Sequence, residues 1–150
     1  MTVKKQPTSP QQNNKQQALA RLILAKTHEP GDHSTVIANL GLFRRDEPAP
    51  PATCMVPPSV VLVAQGAKEM LVGGEAYPYD TAHFLLTSLD LPAHSAVSVA
   101  APDQPCLGLT YKLDLRVLAE LIAQGGLPVI RERASAKSVG IGTVTPSLLD

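Results

Sequence analysis

Aromatic side chains are almost missing from this sequence, which holds two Phe, three Tyr and no Trp in 150 residues. Single-stranded nucleic acids and sugar rings are usually gripped by aromatic faces, so this scarcity speaks against an RNA-binding protein or a lectin. Paired histidines are missing too. His28, His33, His83 and His94 stand alone with no His-x-His, whereas a metal-bearing barrel needs such a pair converging with a carboxylate and a third histidine. The two cysteines, Cys54 and Cys106, lie 52 positions apart with no CxxC pair and no histidines at zinc spacing. They read as reduced core residues of a cytosolic protein. No cofactor and no metal are expected. Ser59, Ser88, Ser95 and Ser98 lack the G-x-S-x-G elbow of a nucleophile. Gly66, Gly73 and Gly74 fall in strand turns, so no phosphate cradle is implied. No run approaches the roughly 20 apolar residues that span a bilayer, and the polar N-terminus lacks the apolar core of a secretory signal. A cytoplasmic location without a membrane partner is expected.

What is present suits one globular domain of short strands. The chain is 44% hydrophobic, enough for a single core at this length, and its fourteen prolines and ten glycines are too many for a mostly helical protein. Net charge is zero but unevenly placed. Residues 1–17 hold Lys4, Lys5 and Lys15 and no acid, a charge of +3, leaving ten basic and thirteen acidic residues, −3, in the remainder. A duplex-binding domain needs a basic face to displace counterions from phosphates, and this body has none.

Residues 1–14, rich in Gln, Asn, Pro, Ser and Thr, are expected to form a disordered tail. A helix is expected from about Lys15 to Thr27, capped by Asn13 or Asn14, with Leu19, Leu22, Ile23 and Lys26 on one stripe. From His33 to Leu113 the pattern changes to seven or eight short strands. Thr35–Phe43 reads as a strand pair or a bent strand, broken near Asn39 and Gly41. Asp46 to Pro58, with five prolines, reads as an irregular connection. Val60–Ala64 is a continuous apolar run of the kind covered on both faces. Gln65-Gly66-Ala67-Lys68 reads as a polar turn with a solvated lysine. Met70–Val72 and Ala76–Tyr79 flank Gly73-Gly74, a tight hairpin turn. Phe84–Leu89 and Ala96–Ala100 are separated by Asp90-Leu91-Pro92. In Leu107–Leu113, Leu107, Leu109, Tyr111 and Leu113 share one face and Gly108, Thr110 and Lys112 the other. Asp114 caps a second helix with Leu115, Leu118, Ala119 and Ile122 on one side, closed by Gly125-Gly126. The stretch from Pro128 is charged through Arg131, Glu132, Arg133 and Lys137. Gly140–Thr143 returns as a strand, and Thr145-Pro146 starts a helix that the sequence leaves short, as in a fragment of a longer protein. The expected fold is mainly β with flanking α-helices, a cupin-like jelly-roll β-barrel.

Taken in order, several segments resemble the N-terminal domain of AraC/XylS-type transcription regulators. They are Thr35–Leu42 (TVIANLGL), Pro57-Pro58-Ser59 running into VVLVAQGAK at Val60–Lys68, VGGEAYPYD at Val72–Asp80, HFLLTSLDLP at His83–Pro92, the Tyr111–Leu113 strand leading to Asp114, and the final VGIGTVTPSLLD. The resemblance covers roughly residues 18–150, and its order and spacing carry more weight than any one piece.

The resemblance implies a regulatory domain over residues 15–150 that senses a small-molecule effector inside a barrel and forms a homodimer through nearby helices. DNA would be read only by a C-terminal helix-turn-helix domain, absent from these residues. It implies no catalysis and identifies no effector. Inward-facing candidates for the pocket are Tyr111, from its alternation with Leu107, Leu109 and Leu113, together with His83 and Cys54; packing is the favoured role for each, and Tyr111 leads the three because a buried hydroxyl needs a partner. Two other functions remain in play: a small cupin enzyme such as an isomerase or dioxygenase, which the missing His-x-His argues against, and a dimerising module with a filled, ligand-free barrel.

Overall fold

A computed structural model describes residues 9–88, 90–125 and 138–149. The N-terminal eight residues of the expected tail and the charged stretch Pro128–Lys137 lie outside the described residues.

Helix α1 (Pro10–Lys26) starts earlier than expected, inside the segment read as disordered. Ser9, not Asn13 or Asn14, is its cap: the Ser9 hydroxyl accepts from Gln12 N at 3.2 Å, and Pro10 takes the first helical position. The buried face is also different. Gln12, Gln16, Ala20 and Ile23 point inward, while Leu22 is exposed. Gln12 Nε2 donates to the Val144 carbonyl at 2.8 Å, and Gln16 Nε2 donates to the Thr81 carbonyl. Hydrophobic periodicity is blind to a face led by two glutamines whose amides are satisfied by backbone carbonyls. The helix ends at Thr27, whose carbonyl accepts from Arg44 Nη1 at 2.7 Å, a cation placed where the helix dipole favours one.

Among the described residues, ten antiparallel strands form one sheet: β1 (Gly31–Ser34), β2 (Leu40–Arg45), β3 (Ala49–Val56), β4 (Ser59–Gln65), β5 (Ala67–Val72), β6 (Glu75–Asp80), β7 (His83–Thr87), β8 (Leu91–Val99), β9 (Cys106–Lys112) and β10 (Val139–Thr143). Their order is β1-β2-β9-β4-β7-β6-β5-β8-β3, with β10 added to β7. The sheet curls into an antiparallel half-barrel, so the mainly β, cupin-like expectation holds. Gly73 and Gly74 both have positive φ, at 57° and 82°, as the tight β5–β6 turn requires.

Strand β3 corrects the reading of Asp46–Pro58 as irregular. Among the described residues it is an edge strand paired only with β8, and its register shifts between Ala49 and Ala52, across Pro50 and Pro51. Prolines lack an amide donor, and an edge strand with a bulge is where that lack is tolerated. Strand β8 likewise begins at Leu91, ahead of the expected Ala96. Its Pro92 pairs with Met55 of β3 and lies outside the His94–Val99 stretch paired with β5.

The core divides between the two faces of the sheet. Inside the curl, Phe43, Val61, Val63, Met70, Tyr79, Leu85, Val97 and Cys106 pack together. Outside it, Ala20 and Ile23 of α1 pack on Ala64 and Leu107. Val61–Ala64 is buried throughout because β4 lies between these clusters, as its continuous apolar run predicts. The β3–β4 corner is tied by Thr87, whose hydroxyl donates to the Pro57 carbonyl at 2.8 Å and accepts from Ser59 N at 3.0 Å. Helix α2 (Leu115–Ala123) follows β9, with the Asp114 carboxylate accepting from Arg116 N at 2.9 Å. A short 3-10 turn over Pro146–Leu149 sits where a helix start was expected. Among the described residues, no helix is long and apolar enough to cross a membrane.

Candidate functional site

The curl leaves a recess of about 610 Å³, a size suited to a small organic ligand. Its floor is the inward face of β2, β4, β5, β6 and β9. Its rim is β1, the following turn and β3, which are the two ends of the strand order. A second recess, of about 450 Å³, lies outside the barrel between α1 and β4. Its Gln16 amide is already engaged in holding α1. The inner recess is therefore the candidate site.

Strand alternation decides which side chains reach it. Cys106 of β9 packs in the inner cluster and Leu107 in the outer one, so Gly108, Thr110 and Lys112 share the inward side. Thr110 and Lys112 do line the recess. Tyr111 sits on the opposite face, 43% exposed, and does not. Its expected inward position is thus reversed. The apolar face of β9 turned out to be the one bearing α1.

Of the three expected pocket residues, only Cys54 lines the recess, half-buried on β3. His83 does not line it; its Nδ1 stands 3.0 Å from Asp80 Oδ1, and that carboxylate also accepts from Ala82 N at 2.9 Å. His83 thus braces the β6–β7 hairpin. The structure does not bring Tyr111, His83 and Cys54 together. Cys54 and Cys106 are both free thiols, and burial pushes the Cys106 thiol up from its usual range. Among the described residues, no three His, Cys, Asp or Glu side chains are placed to hold a metal ion.

The residue that gives the recess its chemistry is Lys68. Far from a solvated turn, it is the second residue of β5 and only 9% exposed, with Gly66 at φ 88° making the turn before it. Its Nζ lies 4.5 Å from the centroid of the Phe43 ring. The ring in turn lies over Gly108, its register partner on β9, where a β-carbon would collide with the ring and with the Leu62 carbonyl. Burial holds the Lys68 ammonium below its usual range, and Arg45 pushes the same way. Cys106, Asp32 and Cys54 act in the opposite sense. Directly across from Lys68 on β6 is Tyr79, 2% exposed, with burial holding its phenol well above the usual range and therefore neutral.

The signal for Lys68 was present in the sequence. Once β5 is known to begin at Ala67, alternation puts Lys68 on the same side as Met70. Gly66 made the segment look like a turn throughout.

Helix α2 presents a different surface. Leu115, Val117, Leu118, Leu121 and Ile122 are all exposed, and no residue of the helix is buried. An amphipathic helix normally hides its apolar side against a neighbour.

The family model for the AraC-type transcriptional regulator N-terminus matches residues 36–150. No match is found among curated proteins. Among solved structures, an apo variant of ToxT from Vibrio cholerae superposes with a TM-score of 0.51 at 9% identity, covering 78% of this chain and 45% of that one. Another ToxT structure from Vibrio cholerae gives 0.49 at 9% identity, covering 71% and 42%. At such identity the first of these supports a shared fold and nothing more. The chain spans less than half the length of either ToxT chain.

Proposed function

The chain belongs to the AraC-type transcriptional regulators as their N-terminal domain, and from that premise we propose that it senses a small-molecule effector in the inner recess and dimerises through α2. The observation that carries the sensor role is the recess itself: the curled sheet leaves an open recess of about 610 Å³ and lines it with both apolar and ionisable side chains. The rim combines the β1–β2 hairpin with β3, two segments distant in the sheet order, so a ligand touching both favours one relative placement of the two. Differential affinity of that kind is what a population shift requires. Occupancy would be relayed to a helix-turn-helix domain that reads DNA, in the cytoplasm, by binding and without catalysis. The exposed apolar side of α2, which has no buried residue, supports a homodimer, because a second copy would cover it.

A thermal-shift screen of sugars, alcohols and organic acids tests the sensor. A ligand at about 100 times its Kd adds about 2.7 kcal/mol, a rise in Tm of roughly 5–10 °C for a domain of this size. Silence across a broad panel, with a dimer present by light scattering, would instead favour the ligand-free dimerising module.

A further inference from the structure

We infer that the outer recess, between α1 and the sheet, is a second ligand site for an uncharged primary carboxamide. The NH2 group of such a ligand donates to the side-chain oxygens of Gln16 and Gln65, and its carbonyl accepts from Arg21. This site goes beyond the sensor role proposed above and does not depend on it.

The two glutamines are the starting point. Gln16 Nε2 donates to the Thr81 carbonyl, and Gln65 Nε2 donates to the Pro105 carbonyl at 2.7 Å. A backbone carbonyl only accepts, so these bonds fix which end of each amide is nitrogen and leave each oxygen an acceptor. Neither oxygen receives a hydrogen bond from a described residue. Among the described residues no enclosed side-chain oxygen or nitrogen lacks a partner, so both oxygens are open. Both residues line the recess of about 450 Å³. Gln16 is only 6% exposed. A side chain anchored at its nitrogen offers its oxygen to a ligand with little further loss of rotamer freedom.

Arg21 supplies the opposite polarity. Asn13, Gln17 and Arg21 follow at four-residue spacing along one flank of α1, and all three line the recess. The Arg21 guanidinium makes no ion pair and no hydrogen bond with any described residue. It is the one charged side chain among the described residues that line the recess. Two fixed acceptors and a cation call for a head with two donors and one acceptor. A primary carboxamide carries that set within one planar group.

Other heads leave a group unpaired. A carboxylate brings oxygens only and would face the two glutamine oxygens with no proton between them. An ammonium would stand near Arg21 with no lining carboxylate to balance the two cations. An ester has the carbonyl but no N–H. Ala20, Ala64 and Leu107, all buried, give the recess an apolar floor that suits a short hydrocarbon body. The occupant touches α1 through Gln16 and Arg21 and the sheet through Gln65, so it pins the helix against the barrel.

Amides set against their methyl esters provide the test: benzamide with methyl benzoate, and isobutyramide with methyl isobutyrate. Each is titrated calorimetrically into the wild type, Arg21→Met, Gln65→Met and Lys68→Met. In the wild type each amide should bind at least about tenfold more tightly than its ester, which leaves both glutamine oxygens unpaired. Arg21→Met, a change at an exposed position, should weaken both members of each pair severalfold. Gln65→Met should reduce the preference for the amide. Lys68→Met, in the inner recess, should change neither. Bound amide should also slow hydrogen exchange in α1 and leave the β1–β2 hairpin unchanged. Equal binding within each wild-type pair, which needs no variant, overturns the assignment. Failure of both amides to bind at millimolar concentration overturns it as well. So does an affinity that survives in Arg21→Met and falls in Lys68→Met, because the ligand would then occupy the inner recess.

Discussion

Lys68 Nζ stands 4.5 Å from the centre of the Phe43 ring, yet the two residues belong to strands β5 and β2, with β9, β4, β7 and β6 between them in the sheet. In a flat sheet five strand spacings would hold them about 24 Å apart. The contact therefore measures the curl. It also joins the two halves of the recess.

Lys68→Met should make the ligand-free protein more stable, by about 1 kcal/mol near neutral pH. The change removes a desolvated ammonium and keeps an unbranched apolar stem, and the loss of the cation–π contact offsets only part of the gain. Tm should rise by roughly 2–4 °C. The advantage should also depend on pH. Because the folded-state value of Lys68 lies below the ordinary 10.5, the unfolded chain binds more protons between the two values. Wild-type stability thus rises with pH across that window, and the gap to Lys68→Met closes. Below the lowered value the gap is constant. Denaturant titrations from neutral pH to about 10.5 check this; a gap that widens with pH would contradict it. The groups acting on Lys68 in that range are Arg45, Asp32, Cys54 and Cys106.

Gly108→Ala should be severely destabilising and Gly140→Ala should not. A methyl at residue 108 meets the Leu62 carbonyl and the Phe43 ring, whereas one at residue 140 meets nothing within 4 Å. Overpacking of this kind costs about 1–3 kcal/mol, against about 0.5 kcal/mol or less for an unobstructed site. Displacing Phe43 should also uncouple it from Lys68. Comparable melting temperatures for the two variants would show that Phe43 moves aside at little cost.

Gln12→Ala should cost about 1–2 kcal/mol, an unusual penalty for a glutamine near a chain terminus. Its amide satisfies the buried Val144 carbonyl at 2.8 Å, and truncation leaves that acceptor unpaired. Hydrogen exchange should quicken in both α1 and the segment around Val144. Faster exchange in α1 alone would mean that the helix is held by Ile23 and Ala20 instead.

Leu118→Glu with Leu121→Glu should convert a dimer to a monomer and leave the monomer's own stability nearly unchanged, within about 0.5 kcal/mol per site. Both side chains are exposed on a helix with no buried residue. Light scattering across a concentration series distinguishes the states. A wild type that is monomeric throughout would remove α2 from the interface.

Elements governed by neighbouring residues were readable from the chain alone. Gly73-Gly74 makes its turn because only glycine takes positive φ there cheaply, Asp114 caps α2 because its carboxylate reaches the amide two residues on, and Val60–Ala64 announced a strand with two covered faces. Tertiary contacts decided the remainder. Alternation divides β9 into two faces but does not say which one is concave, and the more apolar face, with Tyr111, went outward because α1 packs on its first residue, Leu107. Gln12 and Gln16 became buried because distant carbonyls accept from them. Lys68 became an enclosed cation because Phe43 arrives from across the curl. Local sterics act over a few residues, whereas the burial of a polar group depends on partners that only the closed sheet brings within reach.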